Sequence, residues 1–295
     1  MSGRLTGITV ALVGGDEREI ILCQALLQEG ALVRMAGFPQ RPELNQVKCL
    51  PLLEAIAGAH AVVLPLSGVD ATGRVKAHMD QVSPPLILDA AAFAVMAGKI
   101  VLIGSANPLV HQLADRYNVK VIETAANDEI AILNSIPTAE GAIYRAMAEM
   151  PITLHGSNSV VVGFGRCGFT LARMLQGLGA YVTVVARNPA QQARAWEMGM
   201  KAAPISSLSE VSAKADCLFN TVPYLVVTAE VVEALPITAL IIDIASAPGG
   251  TDFTTARARG IKAFLDLGIP GRVAPRTAGQ VLARTIPRLL AEACR

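Results

Sequence analysis

Residues 159–187 read SVVVGFGRCGFTLARMLQGLGAYVTVVAR, and this stretch decides the fold. Val160 to Val162 are β-branched and uncharged, as a strand covered on both faces must be. Gly163, Gly165 and Gly168 then spell G-x-G-x-x-G. Phe169, Leu171, Ala172, Leu175 and Leu178 follow at helical spacing, and Gly177 and Gly179 close the segment. Tyr181 to Val185 is a second β-rich run. The glycine motif alone is weak, but between a strand and a helix that leads into another strand it is a dinucleotide fingerprint. Its glycines provide a tight turn, room for a pyrophosphate against the backbone, and close helix–strand packing. The helix N-terminus offers unpaired N–H groups to the phosphates. The residues expected to line the nucleotide are Gly163, Phe164, Gly165, Arg166, Cys167 and Gly168.

The end of the second strand bears on which dinucleotide is bound. A ribose 2′-hydroxyl is usually held by Asp or Glu about 20 residues beyond the glycines. Here Ala186-Arg187-Asn188 stands at that place, without a carboxylate. A guanidinium pairs with a 2′-phosphate where a carboxylate would repel it. Arg187 and Asn188 therefore point to NADP, with Arg194 as a further contact, unless Arg187 only caps the strand.

With 295 residues the chain has the length of two domains. Apolar residues make up 52% and charged residues 17%, a balance for buried sheets and not for disorder. A net charge of +1 without a Lys/Arg run supplies no field for nucleic acid or anionic lipid. Cys23, Cys49, Cys167, Cys217 and Cys294 lie far apart without C-x-x-C spacing. They fit reduced thiols of a cytoplasmic protein better than disulfides or a metal site. Cys167, inside the glycine loop, is either reactive or a packing residue. His60, His78, His111 and His155 show no ligand spacing, and no metal is expected. Met1 to Gly7 does not read as a signal peptide. The apolar stretch 86–110 is broken by Asp89, Lys99, Asn107 and Pro108, which favours buried strands over a membrane span.

The expected architecture is α/β: two Rossmann-like parallel-sheet domains separated by a cleft, the C-terminal one binding the dinucleotide. Strands are expected at 8–13, 31–35, 61–64, 86–88, 100–103 and 119–122, giving a first domain over residues 1–125. Residues 126–151 read as hinge helices, with a break at Ser135 to Thr138 imposed by Pro137. Residues 152–278 form the dinucleotide domain, and 279–295 a terminal helix that packs back on the first.

Ligands bind such sheets beyond the carboxyl ends of the strands. In the second domain this selects Asn220, Thr221, Val222 and Pro223 for the cofactor, Ser246 in the 245–252 loop, and the loop 268–278. In the first it selects Pro65 to Asp70, including Ser67 and Gly68, and Ser105 to Asn107. Thr138 and Glu140 stand in Thr138-Ala139-Glu140-Gly141. Glu140 is a candidate base or anchor, or else a helix cap. Arg272 and Arg276 stand in the loop 268–278. The histidines offer no obvious partner for an acid, which argues against an ordinary hydroxyacid dehydrogenase.

Six segments then carry a family resemblance: VGGDERE, PLSGVDATG, IPTAEGAI, VVGFGRCG, DIASAPGGTDF and GIPGRVAPRTAGQ. Together they resemble the A subunit of dipicolinate synthase over nearly the whole chain. The resemblance implies NADP-dependent oxidation of a dihydrodipicolinate to pyridine-2,6-dicarboxylate. It also implies partnership with a flavoprotein-like B subunit, and work in the mother-cell cytoplasm during sporulation. A dicarboxylate needs two clamps, for which Arg276 or Arg272 (unless they face solvent or the cofactor phosphates), Ser67, Gly68, Thr138, and Ser246 with Gly249 and Gly250 are the candidates, with Glu140 and Arg276 as candidate catalytic groups. Homo-oligomerisation is expected as well. Two other readings stay open: an amino-acid or imino-acid dehydrogenase of the alanine or saccharopine type, and a non-catalytic subunit that binds NADP and reports its state.

Overall fold

The charge-free runs of the sequence fold as interior strands of two parallel sheets. The computed structural model describes residues 3–75 and 85–294, so His78 lies outside the described residues. The chain divides into two units: Met1–Ala131 with Ala274–Arg295, and Ile132–Val273.

In the first unit, β1 (Thr9–Val13), β2 (Leu32–Ala36), β3 (Lys48–Cys49), β4 (Ala61–Val63), β5 (Ile100–Ile103) and β6 (Lys120–Glu123) pair in the order β3-β2-β1-β4-β5-β6. Their crossovers contain α1 (Glu17–Gln28), α2 (Leu52–Ala57), α3 (Ala90–Val95) and α4 (Pro108–Tyr117). The helix α5 (Asp128–Glu149) runs on into the second unit. There β7 (Asn158–Val162), α6 (Arg166–Gly177), β8 (Tyr181–Ala186), α7 (Pro189–Glu197), β9 (Lys201–Pro204), α8 (Leu208–Ser212), β10 (Cys217–Asn220), α9 (Ala229–Ala234), β11 (Leu240–Asp243), α10 (Phe253–Ala258) and β12 (Lys262–Leu265) alternate. The sheet order is β12-β11-β10-β7-β8-β9. Both sheets therefore show the doubly wound 3-2-1-4-5-6 order, with winding reversed beside β1 and beside β7. Val161 packs with Leu171 and Ala142 on one face, and Val160 and Val162 with Val232 and Ile241 on the other. Burying each such side chain contributes about 1.5–3 kcal/mol.

The fold departs from the local sequence pattern in four places. Leu86 to Leu88 is not a sheet strand: Ile87 only bridges antiparallel to Arg74, while Leu86 and Leu88 fill the core. The two strands β3 and β9 escaped the pattern because edge strands are short and partly polar. The helix α5 is continuous through Pro137. Around the proline, Ser135 Oγ donates to the Ile132 carbonyl at 2.6 Å and Thr138 Oγ1 to that of Asn134 at 2.8 Å. These hydroxyls bond backbone oxygens in the turn where Pro137 has no N–H to give. Finally, the segment 268–278 is mostly helical, as α11 (Ile269–Val273) and the start of α12 (Pro275–Ala293). Pro270 and Pro275 occupy first turns, where a missing N–H is harmless. Within the first unit α12 lies on α1, and a Cβ on Gly279 would come within 2.8 Å of Ile21 Cδ1.

Candidate functional site

The second unit builds its candidate site at the carboxyl edge of its sheet, starting from the glycines. Gly163 has φ +90°, and a Cβ there would overlap Thr221 Oγ1. A Cβ on Gly168 would overlap the Gly163 carbonyl, so this glycine permits the helix to start against the strand. Gly165 differs from both: its φ is −83°, and an added Cβ would meet nothing within 4 Å. It is the N-cap of α6, and among the described residues no side chain caps that helix. An uncapped helix start beside open space is the arrangement that fits a diphosphate, whose oxygens would accept the first-turn N–H groups.

Neighbouring side chains divide between surface and scaffold. Phe164 is buried and packs on Phe169, with ring centroids 5.2 Å apart. Arg166 is exposed. Burial raises the Cys167 thiol above its ordinary pKa, with Arg166 opposing, so the packing role fits Cys167 better than the reactive one. Arg187 is exposed directly after β8, and no carboxylate pairs with it among the described residues. Asn188 caps α7 by accepting from Ala190 N at 2.9 Å, and Arg194 pairs with Glu197 at 2.9 Å. Asn220 is fully buried, which corrects its reading as a cofactor contact. Its Nδ2 donates to the Val222 carbonyl and to Asp243 Oδ2, each at 2.9 Å, and its Oδ1 accepts from Val222 N at 3.1 Å. Thr221 Oγ1 donates to the Val162 carbonyl at 2.9 Å beneath the glycine turn. Val222 is half-buried and Pro223 is exposed.

Among the substrate candidates of this unit, Ser246 is exposed and its carbonyl accepts from Gly249 N at 2.9 Å, across a cis Ala247–Pro248 bond. Thr138 spends its hydroxyl proton inside α5. Glu140 is exposed in mid-helix, which removes the helix-cap alternative. Arg272 is engaged: Asp266 accepts from Arg272 Nη2 at 2.7 Å and from Arg145 Nε at 3.0 Å. Burial opposes the ionisation of Asp266, but these two arginines outweigh it and hold the carboxyl below its usual range. Asp243 and Asp266 were both missed in the sequence. The available signal was an acid directly after a run of apolar residues, in LIID and AFLD.

In the first unit the loops after β4 and β5 come together. A Cβ on Gly68 would lie 2.8 Å from the Ser105 carbonyl oxygen, and Asn107 Nδ2 donates to the Asp70 carbonyl at 2.8 Å. Ser67 Oγ is shielded and has no hydrogen-bond partner among the described residues. Arg276 is exposed in the first turn of α12, with no ion pair among the described residues. At α1 a capping box is complete. Asp16 Oδ1 accepts from Arg18 N at 3.0 Å, and Glu19 Oε2 accepts from Asp16 N at 2.7 Å. Burial pushes the Glu19 carboxyl up to about 7, against the charge of Arg18. Among the described residues no helix is long and apolar enough to cross a membrane, and no cluster of His, Cys, Asp and Glu is placed to hold a metal.

Two doubly wound units, one with a bare glycine turn, define a dinucleotide-binding protein of the oxidoreductase class. Residues 135–247 match the family model described as D-isomer specific 2-hydroxyacid dehydrogenase, NAD binding domain. Residues 9–125 match the model of the N-terminal domain of the dipicolinate synthase A subunit. The chain is 37% identical to the dipicolinate synthase A subunit of Bacillus subtilis (strain 168) over 290 residues, 98% of this chain and 97% of the relative. It superposes on the crystal structure of the dipicolinate synthase A subunit from Bacillus halodurans with a TM-score of 0.93 and 38% identity, covering 98% and 99% of the two chains. The chain belongs to the family of dipicolinate synthase A subunits. A transhydrogenase from Sinorhizobium meliloti shares the fold, with a TM-score of 0.69 at 14% identity over 96% of this chain and 94% of that one.

Proposed function

We propose that the chain is an NADP-dependent oxidoreductase subunit that converts a dihydropyridine-2,6-dicarboxylate to the aromatic dicarboxylate. The observation that carries the cofactor choice is Arg187, exposed and without a carboxylate partner among the described residues, at the end of β8 where an acid would select NAD. The substrate class rests on the family membership. Aromatising the ring removes one hydride and one proton; when bound, the oxidised nicotinamide supplies the hydride acceptor. The first turn of α6 holds the diphosphate and Arg187 the 2′-phosphate. Ser67 Oγ and the Arg276 guanidinium are the proposed carboxylate ligands, whereas the Gly68 N–H is already given to the Pro65 carbonyl at 2.9 Å and leaves Gly68 only the role of bringing the loop close. Ser246 offers a further donor, whereas Thr138 keeps only acceptor capacity and suits a carboxylate poorly. Glu140 is the proposed acceptor of the ring proton. The partner is a flavoprotein-like B subunit, and the setting is the mother-cell cytoplasm of a sporulating cell.

Calorimetric titration with NADP and NAD tests the cofactor assignment. Arg187→Ala should weaken NADP ten- to a hundredfold, the loss of a charge-assisted pair of about 1.5–3 kcal/mol, and leave NAD unchanged. Equal losses for both would make Arg187 structural. Dipicolinate formation followed by ultraviolet absorbance, with B subunit in excess, tests the reaction.

A further inference from the structure

Resting on the dinucleotide reading, we infer that Asp243 is a positioning residue: its buried carboxylate sets the two loops that receive the nicotinamide end of the cofactor. The sheet order β11-β10-β7-β8 locates those loops. With the glycine turn after β7 and Arg187 after β8, the adenosine end lies over β8 and the nicotinamide end over β10 and β11.

Asp243 is the last residue of β11 and is fully buried. Its Oδ1 accepts from Ala245 N at 3.0 Å. Its Oδ2 accepts from Gly250 N and Thr251 Oγ1, both at 2.8 Å, and from Asn220 Nδ2 at 2.9 Å. All four partners donate, and among the described residues no cation pairs with the carboxylate. A buried charge is costly unless its acceptor sites are filled, and here the donors come from both loops. Asn220 carries the effect onward, since its amide also grips both backbone groups of Val222. A Cβ on Gly250 would overlap the carbonyls of Val222 and Tyr224, and the Gly250 carbonyl accepts from Val226 N and Val227 N at 3.0 and 2.9 Å. The two loops thus form one body keyed to a single carboxylate. Asparagine cannot replace it, because its amide nitrogen would face donors.

The test separates the two ends of the cofactor. Binding of NADP and of 2′-phospho-ADP-ribose, which lacks the nicotinamide, is measured by calorimetry on wild type, Thr251→Val, Thr251→Ser and Asn220→Ala, with a melting curve for each. Thr251→Val should weaken NADP roughly three- to thirtyfold, the transmitted part of a charged hydrogen bond, and leave the fragment within about twofold of wild type. Thr251→Ser, which keeps the hydroxyl, should restore NADP, and Asn220→Ala should repeat the selective loss from the other loop. NADP binding unchanged in Thr251→Val, or parallel loss of both ligands, overturns the inference. A wild-type chain that binds neither ligand overturns the dinucleotide reading, and this inference with it.

Discussion

Gly165→Val and Gly168→Ala lie three residues apart and should fail in opposite ways. At Gly165 the backbone is ordinary for an L-residue and a Cβ meets nothing within 4 Å. The fold should lose at most about 1 kcal/mol of N-cap preference, which is about 2–4 °C of melting temperature. The valine methyls would occupy the space where a diphosphate meets the first-turn N–H groups. Losing one or two charge-assisted bonds, each about 1.5–3 kcal/mol, weakens NADP by at least roughly tenfold. At Gly168 the added methyl meets the backbone carbonyl of Gly163, which no side-chain rotation can relieve. Forcing β7 and α6 apart should cost about 1–3 kcal/mol, or about 2–12 °C. Differential scanning fluorimetry paired with NADP calorimetry reads both effects. A Gly165→Val chain that keeps wild-type affinity, or that melts as low as Gly168→Ala, would refute the division of labour among the glycines.

Arg276→Ala should lower dipicolinate formation at limiting substrate by the equivalent of about 1.5–3 kcal/mol, with NADP affinity near wild type; unchanged turnover would move the clamp to Ser67, and lost NADP binding would assign Arg276 to the cofactor. The Glu19 carboxyl, raised to about 7, lies above its value in an unfolded chain, so the stability it contributes is present at low pH and lost as pH rises. Between about pH 4.5 and 7 this amounts to about 3 kcal/mol. The melting temperature of wild type should therefore fall relative to that of Glu19→Gln as pH rises through that window, and parallel curves would sink the argument.

What was legible in the sequence is what local chemistry dictates. The β7–α6–β8 unit was readable because only glycine tolerates the Gly163 turn and the Gly168 approach, and because strands buried on both faces carry no charge. The place of Arg187 at the end of β8 was readable from its distance to those glycines. The helical turns over 269–278 were hidden by glycine and proline, residues that mark loops in general but are harmless in a first helical turn. Pro137 misled for a similar reason, since Ser135 and Thr138 flank it with hydroxyl donors. The buried acids carried a local signal at their strand ends, but their partners were beyond local reading. Arg145 meets Asp266 across 121 residues, and Asn220 meets Asp243 across 23. Only the folded sheet brings such partners together, so Asn220 read as a ligand contact when it is a strut.

The twin sheets also have a consequence for nucleotide traffic. The helix after β1 occupies the same topological station as the helix after β7, yet its amide groups already serve Asp16 and Glu19. Those carboxyls are tethered within the helix they cap, so they act at an effective concentration that a free phosphate cannot match. The first unit is in this sense self-liganded, its helix start carrying its own tethered carboxyl groups, which leaves the glycine turn of the second unit as the bare one of the two.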